Sequence, residues 1–455
     1  MVVAAALLGS GCTLKFASAG ARCSKVGDFA QDRTFVLKCN KQRRWERTLT
    51  VAAGDAFVCA VFKINCPPPP PPPPPTQPPN RAPTITAFGS SRTGGPVPFT
   101  AALFWEISDP EGSPMTCRVN LGDGSSVRTI PNCDDLDDVA TTYRNAGLVS
   151  ASLSVSDGAL SSSATVTLTP TGPTADPFDI TIRMGTQTPA PTPAQQTALT
   201  NAVNAAASRW ESVIPEGLGD VIVPSSGPGA IAAGDCEELQ LESFSGTIDD
   251  VVIDVRIAPI DGPSQVLAYA GSCRYRSSSG LSGFGVMVVD SADIDALSSD
   301  GRLAGAVLHE MGHVLGIGGS GDSNWIRLLV DVAAPGVDVR FAGPIASAMW
   351  QTLGGTSAVP VETDGGSGTA YGHWDEETFN TELMTGYSEP AGIATPLSVI
   401  TVGALGDLGY GVDLFAADPY SLSPLASKDS SSARSAGTES PFCELSKRVP
   451  NSPFR

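Results

Sequence analysis

Nine consecutive prolines, Pro67 to Pro75, restrict the folding of this 455-residue chain more than any other feature. A proline run has no backbone N–H to give to a helix or a sheet ladder, and its φ is held near −65°, so it is expected to form a stiff polyproline II spacer. Residues 67–80 therefore read as a boundary that no core crosses. Length alone calls for two or three domains. Upstream lie a signal-like apolar segment, residues 1–20, and a small module, residues 21–66, that holds Cys23, Cys39, Cys59, Cys66 and the basic run Lys38 to Arg47. That run reads first as the surface of a disulfide-stapled module and second as a polyanion contact. The ten cysteines include no CxxC pair and suit disulfides in an oxidising compartment, so an extracellular or cell-surface location is expected. At Cys12 the readings are lipid attachment and a cleaved or truncated leader.

Downstream, the texture changes at about residue 173. Residues 81–172 are short alternating runs punctuated by "SDPEG", "GDG" and "VSDG" turns, the pattern of an all-β sandwich, with Cys117 and Cys133 expected to pair. Over Ala82 to Thr171 these runs resemble PKD and related Ig-like modules attached to secreted bacterial enzymes. Residues 174–420 alternate strands and helices, as an α+β unit of catalytic size does. Phe178, Ile180, Ile182 and Met184 read as a half-buried strand. Thr192, Pro193 and Gln195 then start a helix whose apolar positions are Leu199, Val203, Ala206, Trp210 and Ile214. The serine-rich tail, residues 421–455, is expected to be disordered. A formal charge of −19 argues against a nucleic-acid partner, and no run approaches the ~20 apolar residues that span a bilayer.

The chain has three histidines, and two of them lie in "HEMGHVLG". On a helix, His309 and His313 project from one face a turn apart, as two ligands of one zinc ion require. Glu310 lies about 100° round the helix, where its carboxylate can reach a water at the metal without becoming a ligand. Ala304, Leu308, Met311 and Leu315 are expected to face the core. A hydrolytic zinc takes three protein ligands and keeps one open position. The third ligand is open, on spacing alone, between His373 and the carboxylates of Glu376, Glu377 and Glu382.

"HEMGHVLG", with Gly316 to end the helix, resembles the opening of the metzincin signature, and "ELMTG", Glu382 to Gly386, resembles its Met-turn. The long separation of the third histidine and the block "GHWDEETFNTELMTGY" resemble the leishmanolysin family, peptidase family M8. The likeness extends over Asp176 to Tyr420 through "SRWESVI", "LAYAG", "VMVVDSADI", "FAGPIA" and "DLGY". This resemblance, to a compact bacterial type, implies an α+β metzincin-like zincin domain and one zinc per chain. It further implies His309, His313 and His373 as ligands, Glu310 as the catalytic base and Met384 as the Met-turn methionine. Protein or peptide substrates would then lie along "VLAYAG", Val266 to Gly271. Cys236 and Cys273 are expected to be the internal pair of this region.

The insertion before His373 reads as structured, with a helix from Pro344 whose Ile345, Met349 and Leu353 share a face and which stops at Gly354. A second helix is expected to open at Thr395 and Pro396, bury Leu397, Ile400, Ala404 and Leu408, and stop at Gly409. "DSADIDALSSD" reads as a solvated loop rather than a calcium loop. Tyr387 is expected to be a packed tyrosine, the alternative being an oxyanion donor. Every proposed ligand lies beyond Asp176, so the chemistry is expected not to need the sandwich. Two competing readings are an adhesion or scaffold protein with structural zinc, its sandwich contacting a cell surface or matrix, and a hydrolase of non-peptide bonds. Glu310 weighs against the first, since a structural site has no use for a base. The chain is expected to be a monomer.

Overall fold

The computed structural model describes residues 15–16, 22, 29–32, 35–50, 79–134, 137–185, 187, 189–236, 242–331, 338–356, 358–366, 368–422 and 452–453. The proline run, Cys12, Cys23, Cys59, Cys66, Cys443 and the serine-rich tail beyond Leu422, apart from residues 452–453, lie outside these residues. The chain divides into two units, Met1–Pro79 and Asn80–Arg455. In the first, β1 (Lys15–Phe16), β2 (Phe29–Asp32), β3 (Phe35–Cys39) and β4 (Trp45–Thr50) form one sheet in chain order. The β3–β4 turn is closed by Asn40, whose Oδ1 accepts from the N–H groups of Gln42 and Arg44 at 3.1 and 3.0 Å.

The second unit begins with a β-sandwich. Its eight strands are β5 (Thr84–Ser90), β6 (Gly94–Pro96), β7 (Phe99–Ser108), β8 (Thr116–Asn120), β9 (Arg128–Pro131), β10 (Val139–Tyr143), β11 (Val149–Ser156) and β12 (Ser161–Thr171). Sheets β10-β7-β5 and β6-β12-β11-β8-β9 face each other across a core that includes Phe99, Leu103, Trp105, Val119, Leu153 and Val155. Cys117 and Cys133 form a disulfide there, as expected. The alternation that marks a half-exposed strand fails at one place. Thr100 and Ala102 of β7 and Ala140 and Thr142 of β10 point away from the sandwich core yet are buried. They lie against the α/β region: Thr100 Oγ1 donates to Val412 O at 2.6 Å, and Leu414 N donates to Thr142 Oγ1 at 3.1 Å. Arg144 adds two bonds to Asp413, at 3.0 and 2.8 Å.

The α/β region is built on β13 (Ile180–Met184), β16 (Val251–Ala258), β17 (Ala268–Tyr275) and β18 (Ser282–Asp290); the hairpin strands β14 (Val221–Val223) and β15 (Gly246–Ile248) stand apart. The order is β13-β16-β18-β17, with the first three parallel and β17 antiparallel. Among the described residues, β17 is paired on its outer side only where Arg274 and Tyr275 meet residues 452–453. "VVIDVRI" and "FGVMVVD" are the buried strands expected, covered on both faces, with Asp254, Arg256 and Asp290 buried among their apolar residues. The 21-residue helix α1 (Pro193–Val213) opens on the expected Thr192–Gln195 capping box and buries Leu199, Val203, Ala206 and Trp210. Cys236 and Cys273 are bridged on the opposite face of the sheet, among Val252, Phe284 and Val286.

Three local expectations change. "DSADIDALSSD" is no solvated loop: it carries helix α2 (Ile294–Ser299), anchored by buried Ile294 and Leu297. Its Asp290 is buried and accepts from Ala292 N at 2.8 Å, while buried Asp293 accepts from Ser264 N at 2.7 Å, so these carboxylates serve the backbone. The late helix, α7 (Val399–Leu408), is capped by Ser398 rather than Thr395, and the carbonyl of Pro396 is taken by Leu383 N at 3.0 Å. Phe178 is buried but precedes β13, and Met184 at its end is exposed. Between these elements run α3 (Leu303–Val314), α4 (Asn324–Leu328), α5 (Pro344–Thr352) and α6 (Glu376–Phe379), with a small sheet of β19 (Leu329–Val330), β20 (Arg340–Phe341) and β21 (Val359–Pro360).

Candidate metal centre

Helix α3 carries His309, Glu310 and His313, all buried. Its inward face differs from the expected stripe: Ala304 is exposed and Leu308 half-buried, while Leu303, Ala306, Val307, Met311 and Val314 are buried. The stripe assumed one covered side. From His309 onward the helix is enclosed all round, by the sheet, α1 and the segment around Met384. The enclosure is close at Gly312, where a Cβ would lie 2.7 Å from Met384 Sδ, 2.9 Å from its Cε and 3.2 Å from Trp210 Cζ2. Trp210 also donates Nε1–H to Leu308 O at 3.0 Å, fixing α1 to α3.

The helix ends where expected. Leu315 caps it and Gly316, at φ +109°, turns the chain. Two residues on, a Cβ at Gly318 would collide with the carbonyl of Gly372, so the two ends of the 318–372 insertion lie against each other. His373 is thereby returned to the helix. Trp374 is bridged to Val361 on one side and Thr385 on the other. Trp374 N donates to Met384 O, and Glu362 N donates to His373 O, both at 2.9 Å. The third histidine is thus held as a short strand between the insertion and the Met384 turn.

The three Nε2 atoms converge. His309 and His313 are 2.9 Å apart, His313 and His373 3.1 Å, and His309 and His373 3.2 Å. Each Nδ1 faces a backbone carbonyl: His309 that of Leu383 at 2.7 Å, His313 that of Ile317 at 2.9 Å, and His373 that of Thr369 at 2.9 Å. A carbonyl only accepts, so each ring carries its proton on Nδ1 and turns an Nε2 lone pair inward. Burial, with the neighbouring rings adding, holds His309 well below its usual range, His313 at about 3 and, by burial alone, His373 at about 4. Three neutral lone pairs at this separation repel unless a cation sits among them. Zn–N bonds of about 2.0–2.1 Å in a tetrahedron set ligand nitrogens roughly 3.3 Å apart, close to what is observed. The donor set therefore fits a metal ion, and the three histidines form a group that can hold one.

Of the carboxylates near His373, that of Glu382 is used elsewhere. Glu382 is buried and accepts at Oε1 from Ser398 N, Ser398 Oγ and Thr401 Oγ1, and at Oε2 from Met384 N at 2.6 Å. Thr401 Oγ1 in turn accepts from Trp374 Nε1 at 2.8 Å. Glu382 is a tie between α7, the Met384 turn and the residue after His373. Glu376 and Glu377 lie in the first turn of α6, Glu377 exposed. A cavity of about 350 Å³ opens beside His309, lined in part by Arg302, Ala306, Leu383 and Tyr387. The sequence contained the signals for Gly312, Gly318 and Glu382 only as residue types; nothing local says which backbone or side chain each will meet.

Residues 236–423 match the family model described as leishmanolysin, peptidase family M8. No curated protein matches the chain. Among solved structures, the PKD domain of the human VPS10 domain-containing receptor SorCS2 is similar at 15% identity, covering 21% of this chain and 78% of that one with a TM-score of 0.19. The PKD domain of an M14-like peptidase from a Thermoplasmatales archaeon is similar at 20% identity, covering 20% of this chain and 98% of that one with a TM-score of 0.17. The family match contains His309, Glu310, His313, His373 and Met384, so over residues 236–423 this chain is similar to the leishmanolysin peptidases.

Proposed function

We propose that this chain is a secreted or surface-associated zinc-dependent endopeptidase of metzincin type, acting as a monomer on protein and peptide substrates. The observation that carries the proposal is the convergence of three Nδ1-protonated imidazoles next to Glu310, on a helix enclosed from His309 onward. Zinc bound by His309, His313 and His373 would supply a Lewis acid that acidifies water and polarises a carbonyl. Glu310 accepts the proton of the attacking water and returns it to the leaving amine. Met384, against Gly312, supports the floor under the histidines. Strand β17, open along Ala268 to Ser272 among the described residues, offers backbone groups to an extended substrate, with the cavity beside His309 taking a side chain. The PKD-like sandwich is the candidate for surface contacts.

Digestion of an unfolded protein with and without chelator tests this reading. Cleavage should stop on chelation and return with zinc, and Glu310→Ala should keep zinc while losing roughly 10² to 10⁴ in rate. Turnover in that variant equal to the parent's would end the proposal, and zinc bound without any peptide cleavage would favour a structural site.

A further inference from the structure

Charge is divided unevenly between the two units. Met1–Pro79 contains ten Lys and Arg and four Asp and Glu, a formal +6; taking these from the 28 and 47 of the whole chain leaves 18 and 43, or −25, for Asn80–Arg455. The positive charge gathers at the β3–β4 hairpin. Lys38, Lys41, Arg43, Arg44 and Arg47 are exposed there, and Arg22, also exposed, is bridged to Arg44. Glu46, opposite Lys38, is the one acidic residue between Lys38 and Arg47. The tip itself, residues 40–44, is Asn-Lys-Gln-Arg-Arg, with its backbone set by Asn40 and by Arg43 at φ +57°.

We propose that this hairpin docks on a surface polymer carrying closely spaced phosphate groups and so retains the peptidase beside it. The six cations are spread over an open turn and adjoining strands, a layout that many phosphates in series satisfy better than a single small anion does. Four of the six are arginines, whose planar guanidinium groups match phosphate oxygens two at a time. Residues 40–44 include no apolar side chain, whereas attachment to a lipid surface normally adds apolar burial to basic charge. The acidic unit is repelled by the same polymer, so the attraction falls to the basic hairpin.

The test uses the full chain and immobilised long-chain polyphosphate, with polyglutamate and anionic phospholipid vesicles as parallel arms. Polyphosphate should retain the protein at low salt, and affinity should fall roughly 100-fold between 50 and 200 mM salt, as four to five phosphate contacts on a single strand require. The triple variant Lys41→Gln, Arg43→Gln, Arg44→Gln should lose at least 10-fold in affinity while cleaving a soluble peptide at the parent's rate. Arg43→Lys with Arg44→Lys, which keeps the charge, should keep most of the binding and so separates charge from hairpin folding. Retention unaffected by the triple variant, equal retention on polyglutamate, or binding to vesicles but not to polyphosphate would each overturn the proposal. Its failure leaves the peptidase reading intact, since the hairpin contributes nothing to the metal centre.

Discussion

The sandwich and the α/β region are buried against each other but bury different kinds of residue. In the sandwich, inward positions hold Phe99, Leu103, Trp105, Val119 and Leu153, and its buried polar side chains are threonines on β7 and β10. The α/β region encloses His309, Glu310, His313, His373, Glu382, Asp254, Arg256 and Arg276. Burying a charged or titratable group costs several kcal/mol unless partners compensate, so a packing module avoids it. A region that accepts the cost repeatedly has a use for those groups. Packing nonetheless joins the two regions. Ala102 and Ala140 belong to the core of the α/β region, and Thr100 and Thr142 satisfy the backbone of residues 412–414.

The contrast breaks most decisively at the third histidine. His373→Ala should abolish tight zinc binding and lower peptide cleavage at least 10³-fold with little change in circular dichroism, while Glu377→Ala leaves both intact. Stoichiometric zinc in His373→Ala would separate the metal from this cluster. The sandwich counterpart is Trp105→Ala. Loss of this buried side chain should cost about 3–5 kcal/mol of stability. The folded fraction should keep the parent's specific activity, and a fall in activity per folded molecule would show that the sandwich core reaches the site.

Glu382 sharpens the comparison, because it is a buried carboxylate that touches no ligand ring. Glu382→Gln can preserve the three bonds at Oε1 but sets a second donor against Met384 N, a mismatch worth about 1–3 kcal/mol. Zinc affinity should drop roughly 10-fold, with an altered visible spectrum in the cobalt-substituted protein. An unchanged spectrum and affinity would reduce Glu382 to a packing role.

The smallest effect is expected where the two regions share electrostatics. Asp407 of α7 is half-buried and caps α5, accepting from Ile345 N at 2.9 Å and Ala346 N at 2.8 Å. Burial pushes its pKa up to about 8, those two bonds oppose the rise, and the charge of Asp138 in the sandwich adds to it. A carboxyl raised in the folded state contributes stability that is complete below about pH 4, its unfolded range, and is lost as pH rises towards 8. The melting temperature should therefore decline across pH 5–8. Asp407→Asn should flatten that decline, and a slope unchanged in the variant would assign it to other groups.

Much of this could be read from short stretches of chain. The Thr192 capping box, the helix from Pro344 to its stop at Gly354, the alternation of β11 and the HExxH spacing all depend on residues a few positions apart, and the structure has them where periodicity and capping place them. The readings that moved share one cause. Local pattern puts Ala304 on the core face, Asp290 and Asp293 in solvent and the α7 cap at Thr395, but what decides them is the element packed opposite: the open first turn of α3, the backbone at Ala292 and Ser264, and the loop at Leu383.

The sequence by itself determined that two imidazoles and a carboxylate share one helix, that the chain is interrupted at Pro67, and that its strands upstream and downstream of residue 173 differ in texture. The tertiary structure alone brings His373 to them, sets the carbonyls of Leu383, Ile317 and Thr369 against the three Nδ1 atoms, and bonds Glu382 to Ser398 and Thr401. The reason is range. Helical and strand periodicity act over a few residues and are written in residue type, whereas these contacts depend on where a fold-back longer than fifty residues returns the chain, which the packing of the whole core sets.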